Sequence, residues 1–171
     1  IDISTNALFT IINNLDINLE EFVMLYESEF STEMNDIVNK FFKMRSNKIE
    51  DLIQIRESAN EYLLKSKIDN QTLQNIIELT YGLEAISETQ DYEKANHYAN
   101  PIWDKLQKRE RWYLREITLL NTILYIFPFE TAEEIVKRSV KTLETYRETN
   151  YITSLKLSFL INISLLFIKN N

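Results

Sequence analysis

Apolar residues return at steps of three and four through most of the chain, and short polar runs interrupt them at close intervals. Ser4 is placed to cap a helix running through Leu15. Asn18, with Glu21 three positions on, forms a capping-box-like start for a second helix carrying Phe22, Val23, Leu25 and Tyr26. A third spans 33–44. Asn47 and Glu50 open a fourth, whose Ile49, Leu52, Ile53, Ala59, Tyr62 and Leu63 keep helical spacing. A fifth covers 72–87. A sixth covers 92–107, with Pro101 as a break or kink. A seventh runs from Arg111 to Ile126 and stops before Pro128. Thr131 with Glu134 caps an eighth through Tyr146, and a ninth fills 151–168.

Alternate helices therefore begin near 33, 72, 112 and 152, a step of roughly 37–40 residues that covers one helix pair each time. The expected architecture is all-α, an antiparallel helix-pair, tetratricopeptide-like right-handed solenoid. Composition agrees with the fold class: one Gly and two Pro leave little material for sheet turns.

Two positions break the apolar pattern. Asn121 interrupts ITLLNTILYI, and Asn162 interrupts LKLSFLINISLLFI, on the same member of successive helix pairs. A poorly partnered amide in such a setting costs about 1–3 kcal/mol. Two readings follow. The amides face a groove and offer N–H and C=O to an extended peptide backbone, or they bond to each other or to nearby backbone and fix helix register. Thr118, Thr122 and Tyr125 lie one turn from Asn121, and Ser158 lies one turn before Asn162. With Leu155, Phe159 and Leu166 they make a mostly apolar wall with few polar anchors, as a peptide groove needs. Arg111 and Arg115 are either peptide-carboxylate ligands or solvated helix charges.

Charge and chemistry narrow the rest. The net charge is −7, and residues 1–36 carry Asp and Glu but no Lys or Arg, a surface that repels phosphate backbones. With no Cys there is no thiolate chemistry or disulfide framework. His97 is the lone histidine, four residues after Glu93, too little for a zinc or di-iron site. Gly82 alone cannot form a phosphate loop. No cofactor and no enzymatic activity are expected, and Trp103 and Trp112 are expected in the core. The apolar run 155–168 is short for a membrane span and reads as a buried helix, so no membrane association is expected.

Two segments carry a family resemblance. IDISTNALFTIINNLDINLEEF, through Leu15, Ile17, Glu21 and Phe22, resembles the end of a lambda-repressor-like helix-turn-helix domain and its linker. ERWYLREITLLNTILYIFPFETAEEI, through Trp112, Glu116, Leu119 and Asn121, resembles the Asn-bearing helix of the Rgg/GadR/MutR transcriptional regulators. The resemblance covers nearly the whole chain through loose, mostly apolar motifs. It implies that 1–30 is the last helix of a DNA-binding domain plus linker, and that 31–171 is a helical-repeat regulatory domain. It implies a cytoplasmic homodimer that senses a short hydrophobic signal peptide, as in quorum sensing. Candidate peptide-binding residues are Thr118, Asn121, Thr122, Tyr125, Ser158 and Asn162. Promoter DNA would be met only through the helix-turn-helix part missing here, so the resemblance implies either a fragment or a degenerate copy of such a regulator. The alternative is a helical-repeat protein-interaction scaffold without a peptide ligand.

Overall fold

A computed structural model of the chain describes residues 4–19, 21–23, 33–44 and 46–170. Regular structure in them is helical, and no strand occurs among the described residues. The elements are α1 (Thr5–Asn14), α2 (Glu33–Lys43), α3 (Ile49–Ser66), α4 (Gln71–Thr89), α5 (Tyr92–Leu106), α6 (Leu114–Thr122), a 3-10 turn (Leu124–Ile126), α7 (Phe129–Leu143) and α8 (Asn150–Asn170).

Two of the expected caps form. Ser4 Oγ accepts from the Ala7 N–H at 3.3 Å, and Asn18 Oδ1 accepts from the Glu21 N–H at 2.7 Å. Leu25 and Tyr26 of the second expected helix lie outside the described residues. The other starts differ from expectation. Lys48, not Asn47, is the N-cap of α3. Asn47 instead donates its amide N–H to Tyr125 Oη at 2.8 Å. Helix α7 begins at Phe129, with Pro128 (φ −53, ψ 152) rather than Thr131 as its N-cap, and the proline's fixed φ suits that entry. It ends at Leu143 rather than Tyr146. Pro101 is accommodated inside a continuous α5.

The helix expected from Arg111 to Ile126 is shorter. It opens at Leu114, where the Glu116 carboxylate accepts from the Tyr113 N–H at 2.9 Å. It gives way to the 3-10 turn after Ile123 leaves the helical region (φ −108, ψ 9). The preceding loop is strapped down by Arg138. Its guanidinium donates to the carbonyls of Gln107 (2.8 Å) and Arg109 and lies 4.0 Å from the Trp112 ring centroid. Trp112 is buried, donates its indole N–H to the Leu106 carbonyl at 2.8 Å and meets Trp103 edge-on, as expected for core residues.

With one glycine in the chain, helix ends use other residues in the left-handed region. Lys67 (φ 53) closes α3 and Gln90 (φ 55) closes α4. Gln90 and Asp91 return hydrogen bonds to Ile86 and Ala85, the arrangement of a Schellman cap. Gly82 lies instead where α4 crosses α5: a Cβ there would stand 3.2 Å from the Ala95 carbonyl oxygen.

Sequential helices pack on one another, α2 on α3, α3 on α4, α4 on α5, and α7 on α8, while α6 lies against α8. The 3-10 turn touches α5, α7 and α8. One buried cluster runs through these helices from Ile37 to Leu166. Two polar contacts bridge residues about eighty apart: Asn47 to Tyr125, and Arg115 to Asn35 Oδ1 at 3.2 Å. They accompany a direct approach of α2 to α6.

Helix α8 departs most from expectation. Its bounds lie close to the 151–168 expected, but the reading of 155–168 as a short, buried helix fails. Asn150–Ile168 is long and apolar enough to cross a membrane by length and composition, with a mean hydropathy of 1.7. Nor is it buried all round. Ile152, Leu155, Phe159 and Leu166 face the core, while Leu157, Leu160, Ile161, Leu165 and Ile168 make an opposite apolar face about 50–71% exposed. A run that is apolar on both faces has no amphipathic signature, so sequence pattern alone could not reveal which face is covered.

Candidate functional site

The packing of α6 against α8 brings the two asparagines together. Asn121 Nδ2 donates to Ser158 Oγ at 2.8 Å, and Asn162 Nδ2 donates to Asn121 Oδ1 at 3.2 Å and to the Asn121 carbonyl at 3.4 Å. All three residues are half-buried. The seam extends toward the start of α8, where the Thr118 and Tyr151 hydroxyls meet at 2.7 Å. Thr118 also donates back to the Leu114 carbonyl at 2.8 Å.

Asparagine needs more partners than this seam supplies. Among the described residues, the second Nδ2 hydrogen of Asn121 and the Oδ1 of Asn162 have no protein partner. One donor and one acceptor thus remain, on adjacent helices, in a half-buried setting.

Not every candidate joins the seam. Thr122 donates to the Thr118 carbonyl at 2.9 Å and satisfies its own helix. Tyr125 falls in the 3-10 turn, which rotates it away from Asn121 toward Asn47. The expectation that Thr122 and Tyr125 share the Asn121 face failed because it assumed an unbroken helix. Arg115 is committed to Asn35, and Arg111 sits over the Tyr113 ring at 5.5 Å, so neither approaches the asparagines through a hydrogen bond. His97 is exposed, edge-on to Tyr98. Among the described residues no three of His, Cys, Asp or Glu gather closely enough to hold a metal ion.

One turn past Asn162 on α8, Leu166 reaches a cleft that the 3-10 turn also lines. Tyr125 is four residues past Asn121 and Leu166 four past Asn162, and both line a cavity of about 380 Å³. Tyr92, Glu93, Asn96 and Phe129 complete its polar and aromatic rim. Asn96 donates to the Ile126 carbonyl at 3.4 Å and accepts from the Asn100 amide, which leaves its second Nδ2 hydrogen, like that of Asn121, without a protein partner among the described residues. Burial pushes the Tyr125 phenol above its ordinary value of 10.0; the Asn47 hydrogen bond opposes this and neighbouring Tyr92 adds to it.

Sequence reasoning missed Tyr151 and the cleft. Tyr151 was legible: positions 151, 155, 158, 162 and 166 form one helical stripe. Tyr92 and Glu93 were not, since they come from α5 and reach the site only through tertiary packing. No family model, curated protein or solved structure matches the chain.

Proposed function

We propose that this chain is the regulatory, dimerising portion of a cytoplasmic transcription regulator of the Rgg/GadR/MutR type. Its helix pairs form a tetratricopeptide-like solenoid, and its α6–α8 seam binds a short hydrophobic peptide. The observation that carries this reading is the Asn121–Ser158–Asn162 cluster. A donor and an acceptor left on adjacent helices suit one peptide unit of an extended backbone, which presents both groups. The helix starts at 33, 71, 114 and 150 follow one another at 36–43 residues, near the pair period read from the sequence, which supports stacked pairs.

The exposed apolar face of α8 supports the dimer. Soluble monomers rarely expose contiguous apolar patches above a few hundred Å², and a second copy would cover this one. A peptide that prefers one curvature or dimer geometry would then shift the population between forms and re-space attached DNA-binding domains.

The second reading is a helical-repeat scaffold in which the amides are register struts. It is favoured by one fact: Asn121 and Asn162 already bond each other. Fluorescence polarisation separates the two. A pool of six-to-eight-residue Leu/Ile/Val/Gly peptides, labelled at the C-terminus, is titrated with the wild-type chain and with Asn121→Ala and Asn162→Ala. Saturable binding weakened at least about ten-fold in both variants, a loss near 1.4 kcal/mol, supports the sensor. Binding equal in all three, or absent throughout, favours the scaffold.

A further inference from the structure

The cleft beside the seam has a chemistry of its own. Tyr92, Tyr125 and Phe129 supply aromatic surface, Leu166 supplies an apolar floor, and Glu93 is its one formally charged lining residue. Among the described residues Glu93 has no ion-pair or hydrogen-bond partner. A cavity lined by aromatics with a single carboxylate favours a cation attached to an apolar body, through the ring faces and through charge-assisted hydrogen bonding. Its volume of about 380 Å³ lies within the range of small-ligand sites. Other surface pockets differ. One beside α7 is lined by Glu110 with Arg111, Arg138 and Lys141, and the one between α2 and α3 mixes Asp36 and Asp51 with Lys40 and Lys43.

We infer that this cleft receives the N-terminal ammonium and first apolar side chain of the bound peptide, which fixes the peptide's direction across the seam. This rests on the peptide-binding reading above. A short apolar peptide always brings one ammonium, at its N-terminus, and the cleft offers the exposed Glu93 carboxylate in a lining it shares with Leu166, one helical turn past Asn162. The chain would then run from Glu93, past Asn162 and Asn121, toward Tyr151. The net charge of −7 favours the approach of a cationic end over an anionic one.

The test uses L-leucinamide, an ammonium on one leucine side chain, against N-acetyl-leucinamide, which lacks the charge. Binding is followed by methyl NMR shifts of Ile126 and Leu166 in the full chain, wild type and Glu93→Gln. Saturable shifts for leucinamide, weakened about ten-fold by acetylation and by Glu93→Gln, are expected. Equal binding of the two amides, insensitivity to Glu93→Gln, or no saturable shift at these methyls overturns the inference. Asn121→Ala is expected to leave leucinamide binding intact, so failure at the cleft is distinguishable from failure of the asparagine seam. In a second arm, N-acetylation of the peptides that bind in the polarisation assay is expected to weaken them about ten-fold. Unchanged affinity would overturn the assigned direction.

Discussion

Asn121 and Asn162 each lose freedom and gain partners in the same seam, so their contributions to stability are coupled. A buried or half-buried hydrogen bond of this kind contributes about 1 kcal/mol net. Removing either amide by Asn→Ala is expected to cost about 1 kcal/mol. The double variant should cost less than the sum of the two, by about 0.5–1 kcal/mol in urea unfolding. Strict additivity would mean the contact between them contributes nothing. Tyr125 makes a second residue-scale prediction. The folded chain holds its phenolic proton more tightly than the unfolded chain does. It therefore contributes stability that is complete below the ordinary value of 10.0 and is lost as pH rises through the raised one. Between pH 9 and 11 the wild-type chain should lose more of its melting temperature than Tyr125→Phe. Equal losses would place the phenol in water.

Among the elements, helix existence was readable and helix ends were not. The spacing of Leu73, Ile76, Leu79 and Leu83 dictates α4 because those residues share one buried stripe. Thr131 looked like a cap, yet α7 starts two residues before it, with Pro128 at the N-cap and no side-chain cap hydrogen bond. The seventh expected helix failed at Ile123 for a reason outside its own sequence: the 3-10 turn lets Tyr125 reach Asn47 and Leu124 enter the core. The asparagine pair was legible as an interruption of pattern, but the cleft was not, because its rim is assembled from α5, the segment after α6, and α8. The cap of α4 carries a prediction at this scale. Gln90 holds a left-handed backbone that costs an ordinary residue about 1 kcal/mol relative to glycine. Gln90→Gly should therefore raise stability by about 0.5–1 kcal/mol in urea unfolding. A loss of stability would mean that the Gln90 side chain, not its torsion, matters there.

At the scale of the molecule, two apolar surfaces of α8 have different fates. One is covered by α6 and α7, and the other stands open with Ile168 71% exposed. If a second copy covers that face, Leu160→Glu with Leu165→Lys should convert a dimer to a monomer in sedimentation velocity. The helical circular dichroism should be unchanged. A wild-type chain that is monomeric at tens of micromolar, or that partitions onto phosphatidylcholine vesicles through this face, contradicts the dimer. The long bridges from Asn47 and Asn35 tie the early helices to the later ones, so a ligand at the seam would be felt beyond α6 and α8. The central claim is that the paired asparagines serve a peptide and not only each other. The most direct measurement is the melting temperature with and without a saturating six-to-eight-residue apolar peptide, in wild type and in Asn121→Ala with Asn162→Ala. Ligand at a hundred times its dissociation constant adds about 2.7 kcal/mol, a rise of roughly 5–10 °C for a chain of this size. The account predicts that rise in wild type and its loss in the folded double variant. No rise with any such peptide, alongside a variant that merely melts earlier, would make the amides core struts and contradict it.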